Sequence, residues 1–213
     1  SSLETLDLNN FNTENVIDMR QMFKNCYSLT CLNVSGFDTK NVKNVWGMFY
    51  GCKNLTNLNI STFDTSNMIN MREMFYGCQG LTNLDLSNFD TKNTICIDYM
   101  FGQCITLVEL NLSNFNTSNI LEMTGMFQGC SSLINLDVSG FNISKVENMD
   151  FMFSGCNSLT SLDLSSFDAR TVFNMYGMFD GCEKLTLIKT EQNHDLTCFC
   201  IILCTQKHDI SWF

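Results

Sequence analysis

The chain has 213 residues, with 12 lysines and arginines against 22 acids and a formal net charge of −10. Nucleic acids demand basic side chains to neutralise phosphate, so this balance argues against them as partners. No apolar run reaches the roughly 20 residues that span a bilayer, so no membrane insertion is expected within this segment.

The chain is periodic. Met-Phe stands at 22, 48, 74, 100, 126, 152 and 178, and a cysteine at 26, 52, 78, 104, 130, 156 and 182, every step being 26 residues. A period this strict belongs to a solenoid, in which each repeat packs on its neighbours. One elongated domain is therefore expected over residues 1–189, followed by a non-repeat tail or cap over 190–213. Leu3 holds the place of Leu29 and Leu55, so the chain opens inside a repeat. That start suggests a fragment, and the lack of a signal peptide then says nothing about export.

The third copy serves as template. Leu58 and Ile60 alternate with Asn59, which predicts a short strand with the apolar pair inward and the asparagine outward. Phe63 closes the strand segment. Asp64-Thr65 then offers a helix N-cap, and apolar residues at 68, 71, 74/75 and 78 fall at the spacing of one helical face. Gly77 is placed as a left-handed C-cap, a slot held by Asn25 in the first copy. In the fourth copy, Gly102-Gln103 suggests a helix ending one residue early. The expected fold is an α/β solenoid: an arc of seven strand–short-helix repeats, a parallel strand ladder on one face and helices on the other.

Of the twelve cysteines, seven form the ladder, Cys31 and Cys96 lie elsewhere in repeats, and Cys198, Cys200 and Cys204 fall in the tail. The ladder reads as reduced, buried thiols acting as small apolar groups. Disulfides between rungs are the rival reading, against which stacked side chains pointing the same way tell. In the tail, His194, Cys198, Cys200, Cys204 and His208 could supply zinc ligands, although no standard finger spacing matches. A terminal strand capping the last repeat and a poorly ordered tail are the competing readings.

The unit Leu84-Asp-Leu-Ser-Asn-Phe-Asp-Thr-Lys-Asn, continued by Met100-Phe101 and Cys104, resembles the BspA-type leucine-rich repeat of surface proteins. It is similar to the longer variant first catalogued in mycoplasma proteins of unknown function. Asp163-Leu-Ser-Ser-Phe-Asp and Met178-Phe179-Asp-Gly181-Cys182 carry the same signature. The resemblance implies a leucine-rich-repeat solenoid, secreted or on the cell surface, that binds a host or neighbouring-cell protein, commonly in adhesion. It brings no catalytic residues and no cofactor.

Two surfaces are candidate binding sites. Asp7, Asn33, Asn59, Asp85, Asn111, Asp137 and Asp163 form an outward column on the strands, and concave faces of solenoids are habitual binding surfaces. A solvated ladder of mutually bonded side chains is the alternative. Asp137 and Asp163, on adjacent rungs, could also share a cation such as calcium. Trp46, Tyr50 and Tyr76 form an aromatic patch on the predicted helices, with Trp46 in an exposed slot and Tyr50 four residues on along the same helical face. Aromatic cover over the inter-helix groove competes with it. Both histidines lie in the tail, so no nucleophile–histidine arrangement can be assembled on the solenoid, and no enzyme is expected. Three functions remain: a surface-exposed protein-binding or adhesion module, an intracellular scaffold, and a structural spacer whose ligand site lies elsewhere.

Overall fold

The computed structural model describes residues 3–190 and 211–212. The strands are short and parallel: β1 (Thr5–Asp7), β2 (Cys31–Asn33), β3 (Asn57–Asn59), β4 (Glu109–Leu110), β5 (Asn135–Leu136), β6 (Ser161–Asp163), β7 (Leu187–Lys189) and β8 (Ser211–Trp212). They pair in the orders β1-β2-β3, β4-β5 and β6-β7-β8. Register advances by one repeat per rung, Leu6 facing Leu32 and Leu32 facing Leu58. The alternation read from the sequence holds, since Ile60 is buried and Asn59 exposed. Yet the strand face is interrupted. Residues 83–85 form no strand, and β5 does not pair with β6.

Among the described residues no α-helix follows the strands, and the one helical turn is a 3-10 turn at Ala169–Thr171. The predicted helices are replaced by chains of four-residue turns that form a second parallel ladder. Bridges join Asp18, Asn44, Asn70, Cys96, Glu122, Asn148 and Asn174 in succession. Backbone donors divide between two tasks. The amides of Gln21, Phe23 and Asn25 bond the carbonyls of Trp46, Met48 and Tyr50 in the next repeat, while Met22, Lys24 and Cys26 bond three residues back. A helix would spend its amides on its own carbonyls and leave none for the neighbour. The turn ladder binds repeat to repeat, and it runs unbroken where the strand face does not.

The turns require two left-handed residues per repeat, four positions apart. Gly47 and Gly51 take them in the second copy with φ of 59° and 70°, and Gln21 and Asn25 in the first. Gly77 is left-handed as expected, at φ 70°, but it sits in a turn and caps no helix. In the fourth copy Gln103, not Gly102, is left-handed, at φ 59°. The early stop expected there is therefore wrong: the amide of Gln103 bonds the carbonyl of Gln128, which holds the repeat in register. Asp64-Thr65 caps no helix either. Asp64 Oδ1 accepts from the Ser66 amide at 3.0 Å, and Thr65 is buried.

The core lies between the two ladders. Twelve of the thirteen methionines are buried, Met22 alone being exposed, and Phe49, Phe75, Phe101, Phe127, Phe153 and Phe179 are fully enclosed. Their rings stack from Phe23 onward with centroids 5.6–5.8 Å apart, one ring per repeat. Phe11, in a slot otherwise filled by buried phenylalanine, is exposed because its repeat has a described neighbour on one side only. All nine described cysteines are free thiols. The ladder thiols do more than fill space. Cys52 donates to the carbonyl of Phe23 at 3.1 Å and Cys78 to that of Phe49 at 3.2 Å, a bond repeated up to Cys182.

Candidate functional site

The polar column stands on the strand face, and local geometry explains its residue types. In each rung the side-chain oxygen accepts the amide two residues on: Asp85 from Ser87 at 2.9 Å, Asn111 from Ser113 at 3.0 Å, Asp137 from Ser139 at 2.9 Å. Asp7, Asn33, Asn59 and Asp163 make the same turn. The column therefore bonds within each repeat more than across rungs. Either Asp or Asn serves, because each offers a planar oxygen, so the choice between them sets surface charge without altering the turn.

The column surrounds a trough. Asn83, Asp85, Glu109, Asn111, Asn135 and Asp137 border a depression of about 570 Å³ centred on β4 and the strandless segment beside it. A smaller recess of about 260 Å³ continues past Asp137 to Ser161 and Asp163. The Ser87 amide and hydroxyl hold the Asp85 carboxyl below its ordinary value, and bonds from Ser139 do the same for Asp137. Both are anions at neutral pH. Asp163 differs: Lys189 Nζ lies 2.8 Å from its Oδ2 and, with Ser165, lowers the carboxyl to about 2. That lysine neutralises the carboxylate that would have to help hold a cation with Asp137, and no cluster of three or more potential ligands occurs among the described residues. The calcium expectation has no support in this geometry. The zinc candidates His194, Cys198, Cys200, Cys204 and His208 lie outside the described residues; what the tail contributes within them is β8, paired parallel to β7.

The aromatic patch falls on the turn ladder and is less open than its slot suggested. Trp46 is half-buried and donates its Nε1 to Glu73 Oε2 at 3.1 Å. Tyr50 stacks on Tyr76, centroids 4.9 Å apart, and Lys24 Nζ covers the Tyr50 ring at 4.9 Å. No helical face joins Trp46 to Tyr50, because no helix is there. A groove of about 300 Å³ runs between Tyr50, Tyr76 and Tyr27 over Gly51 and Gly77. Tyr50 and Tyr76 are half-buried against each other and seal the inter-repeat seam, with Lys24 over the Tyr50 ring, while Tyr27, with Lys53 over its ring, stays exposed.

Sequence reasoning missed two features. One is a half-buried charge cluster beside the patch, where Arg72 lies 3.3 Å from Glu73 and 3.6 Å from Asp98. The other is a column of exposed apolar residues at 69, 95 and 121. Each was visible only by aligning copies slot by slot, because neither follows the periodicity of a strand or a helix.

No described helix is long and apolar enough to cross a membrane. Among solved structures the fold is similar to a leucine-rich-repeat protein of T. pallidum, with a TM-score of 0.56 and 20% identity over 92% of this chain and 80% of that one. It is also similar to a leucine-rich-repeat protein of Bacteroides ovatus ATCC 8483, with a TM-score of 0.53 and 20% identity over 99% of this chain, which spans 57% of that protein. At such identity the likeness shows the fold alone, a parallel leucine-rich-repeat architecture. A comparison with curated proteins gives no match. The family model described as "Mycoplasma protein of unknown function, DUF285" matches residues 1–109 and 97–196, nearly the whole chain, and the protein belongs to that family.

Proposed function

We propose that the chain is a non-enzymatic protein-binding module of a surface-exposed protein, engaging a host or neighbouring-cell protein through its strand face. The leucine-rich-repeat architecture suggests a protein-interaction module at the coarse level, and the family resemblance supports adhesion as its use. The observation that carries the reading is the trough lined by Asp85, Glu109 and Asp137. Its size suits side chains of a partner segment, and its carboxylates favour a basic one. The repeats leave these positions free to vary, because turn geometry accepts Asp or Asn alike.

The test is retention of proteins from a surface-labelled host-cell preparation on immobilised chain. A partner retained by the wild type should be lost by an Asp85→Lys/Asp137→Lys variant and released by salt. Retention unchanged in that variant would remove the strand face from consideration. The scaffold reading draws on the free cysteines, but thiols this deeply buried would persist in either compartment.

A further inference from the structure

The exposed apolar column missed in the sequence lies where each repeat enters its turn ladder. Ile69, Ile95 and Leu121 stand on successive rungs and are 39%, 42% and 40% exposed. Their main chains are bonded directly, the Ile95 amide to the Ile69 carbonyl at 3.0 Å and the Leu121 amide to the Ile95 carbonyl at 3.0 Å. Such bonding sets the rungs about 4.8 Å apart, so the three side chains form one continuous ridge. The next rung on one side is Lys43 and on the other Glu147, both exposed. The same bonding continues through them, Ile69 to Lys43 at 2.8 Å and Glu147 to Leu121 at 3.0 Å. Beyond them come Ile17, 63% exposed, and Phe173, 80% exposed.

The order along the ridge is self-complementary about Ile95, apolar residues standing opposite apolar ones and lysine opposite glutamate. We propose that two copies of this chain associate through the ridge, antiparallel, about a two-fold axis at Ile95. Such an axis sets Ile95 against itself, Ile69 against Leu121 of the other copy, and Lys43 against Glu147 of the other copy, each pairing being made twice. Ile17 then meets Phe173. The symmetry selects a second copy as the occupant: an unrelated partner would have no use for opposite charges placed at equal distances from a central isoleucine. Charge argues the same way. The chain carries a net −10, so two copies repel unless the contact supplies its own cation. Lys43 forms no ion pair with another side chain among the described residues and is free to do so. A strip roughly 29 Å long and one or two side chains wide falls at the small end of specific interfaces, so the dimer is weak and reversible. This surface is separate from the strand-face trough.

Sedimentation equilibrium over about 1 μM to 1 mM tests the inference. The wild type should show a reversible monomer–dimer equilibrium. Ile95→Asp should raise the dissociation constant at least tenfold, with the circular dichroism spectrum unchanged. Lys43→Glu and Glu147→Lys should each weaken association, and the Lys43→Glu/Glu147→Lys double variant should restore it. A chain that stays monomeric to the highest concentration overturns the proposal. So does a dimer indifferent to Ile95→Asp, or a double variant no tighter than the two single ones.

Discussion

The hydroxyl of Thr65 donates to the carbonyl oxygen of Asp90 at 3.1 Å and accepts the amide of the same residue at 2.7 Å. One side chain thus clips both backbone polar groups of one residue in the next repeat, and it does so while 1% exposed. Thr91 clips Asn116 and Thr117 clips Asn142 in the same manner, and the series ends where Ile143 takes the slot. Replacing Thr65 with Val keeps the shape and leaves the half-buried N–H and C=O of Asp90 without that partner. A loss of about 1–3 kcal/mol is expected in urea unfolding. Thr65→Ser, which keeps the hydroxyl, should lose less, and a Thr65→Val variant as stable as the wild type beside a destabilised Thr65→Ser would show that the methyl group and not the clip matters.

Burial pushes the six ladder thiols from Cys52 to Cys182 up, to about 12 for Cys52, Cys104 and Cys182. The folded value lies above the ordinary one of 9.0, so the neutral thiol is favoured in the folded chain. Its contribution is whole below pH 9 and is lost as pH rises toward 12. The unfolding midpoint should therefore fall steeply across that window, each of these six thiols adding on the order of 1.4 kcal/mol per pH unit. At pH 8 an alkylating reagent should modify exposed Cys31 and spare Cys52, Cys78 and Cys104 until the chain is unfolded. Rapid native alkylation of the ladder, measured by peptide mass, would contradict the packing described.

The strand rungs and the core were legible in the sequence because both obey simple periods. Leu58 and Ile60 point inward by alternation, and Met74, Phe75 and Cys78 recur every 26 residues, buried in every copy from the second on. The turn ladder was not legible from apolar spacing. Four-residue turns bring Met71, Phe75 and Cys78 to one side as a helix would, so the same pattern fits both. The discriminating sign was glycine in pairs four apart, Gly47 with Gly51, Gly125 with Gly129 and Gly177 with Gly181, which a helix tolerates poorly. Position on the strand face was readable for Asp85 and Asp137; their turn-forming bonds were not, because a side chain folding back on its own backbone leaves no periodic trace. Trp46 looked exposed by comparison of slots, and it is half-buried because Glu73 one repeat on accepts its indole N–H.

Backbone handedness gives an opposed pair of substitutions. Gln103 holds φ 59° in a slot that glycine fills elsewhere, at a cost of roughly 1–2 kcal/mol for a side-chain-bearing residue. Gln103→Gly should relieve part of that and raise the melting temperature. Gly155 holds φ 74°, and an added Cβ would stand 3.2 Å from the Gly129 Cα. Gly155→Ala should lower the melting temperature by several degrees. If both variants fall, the Gln103 side chain contributes packing that outweighs the strain.

Asp98 offers a prediction whose sign depends on pH. The residue is 6% exposed, and its carboxyl accepts the Thr124 amide at 2.9 Å and lies 3.6 Å from Arg72. Burial raises it above the ordinary 3.8 even though that amide and Arg72 pull it down. A raised folded value means that the favourable contribution is complete below pH 3.8 and disappears as pH climbs, so the ionised carboxylate is a net liability at neutrality. Asp98→Asn retains an acceptor for Thr124 and should raise the unfolding midpoint at pH 7, with the gain shrinking toward pH 3. A second readout separates charge from packing. Cys96 Sγ lies 3.6 Å from Asp98 Oδ2, and its thiol stands at about 11, raised first by burial and next by that carboxylate. In Asp98→Asn the alkylation rate of Cys96 should rise at lower pH than in the wild type. A variant less stable at pH 7, with the Cys96 profile unmoved, would mean that the Arg72 contact outweighs burial and that the carboxylate belongs in the fold as an ion.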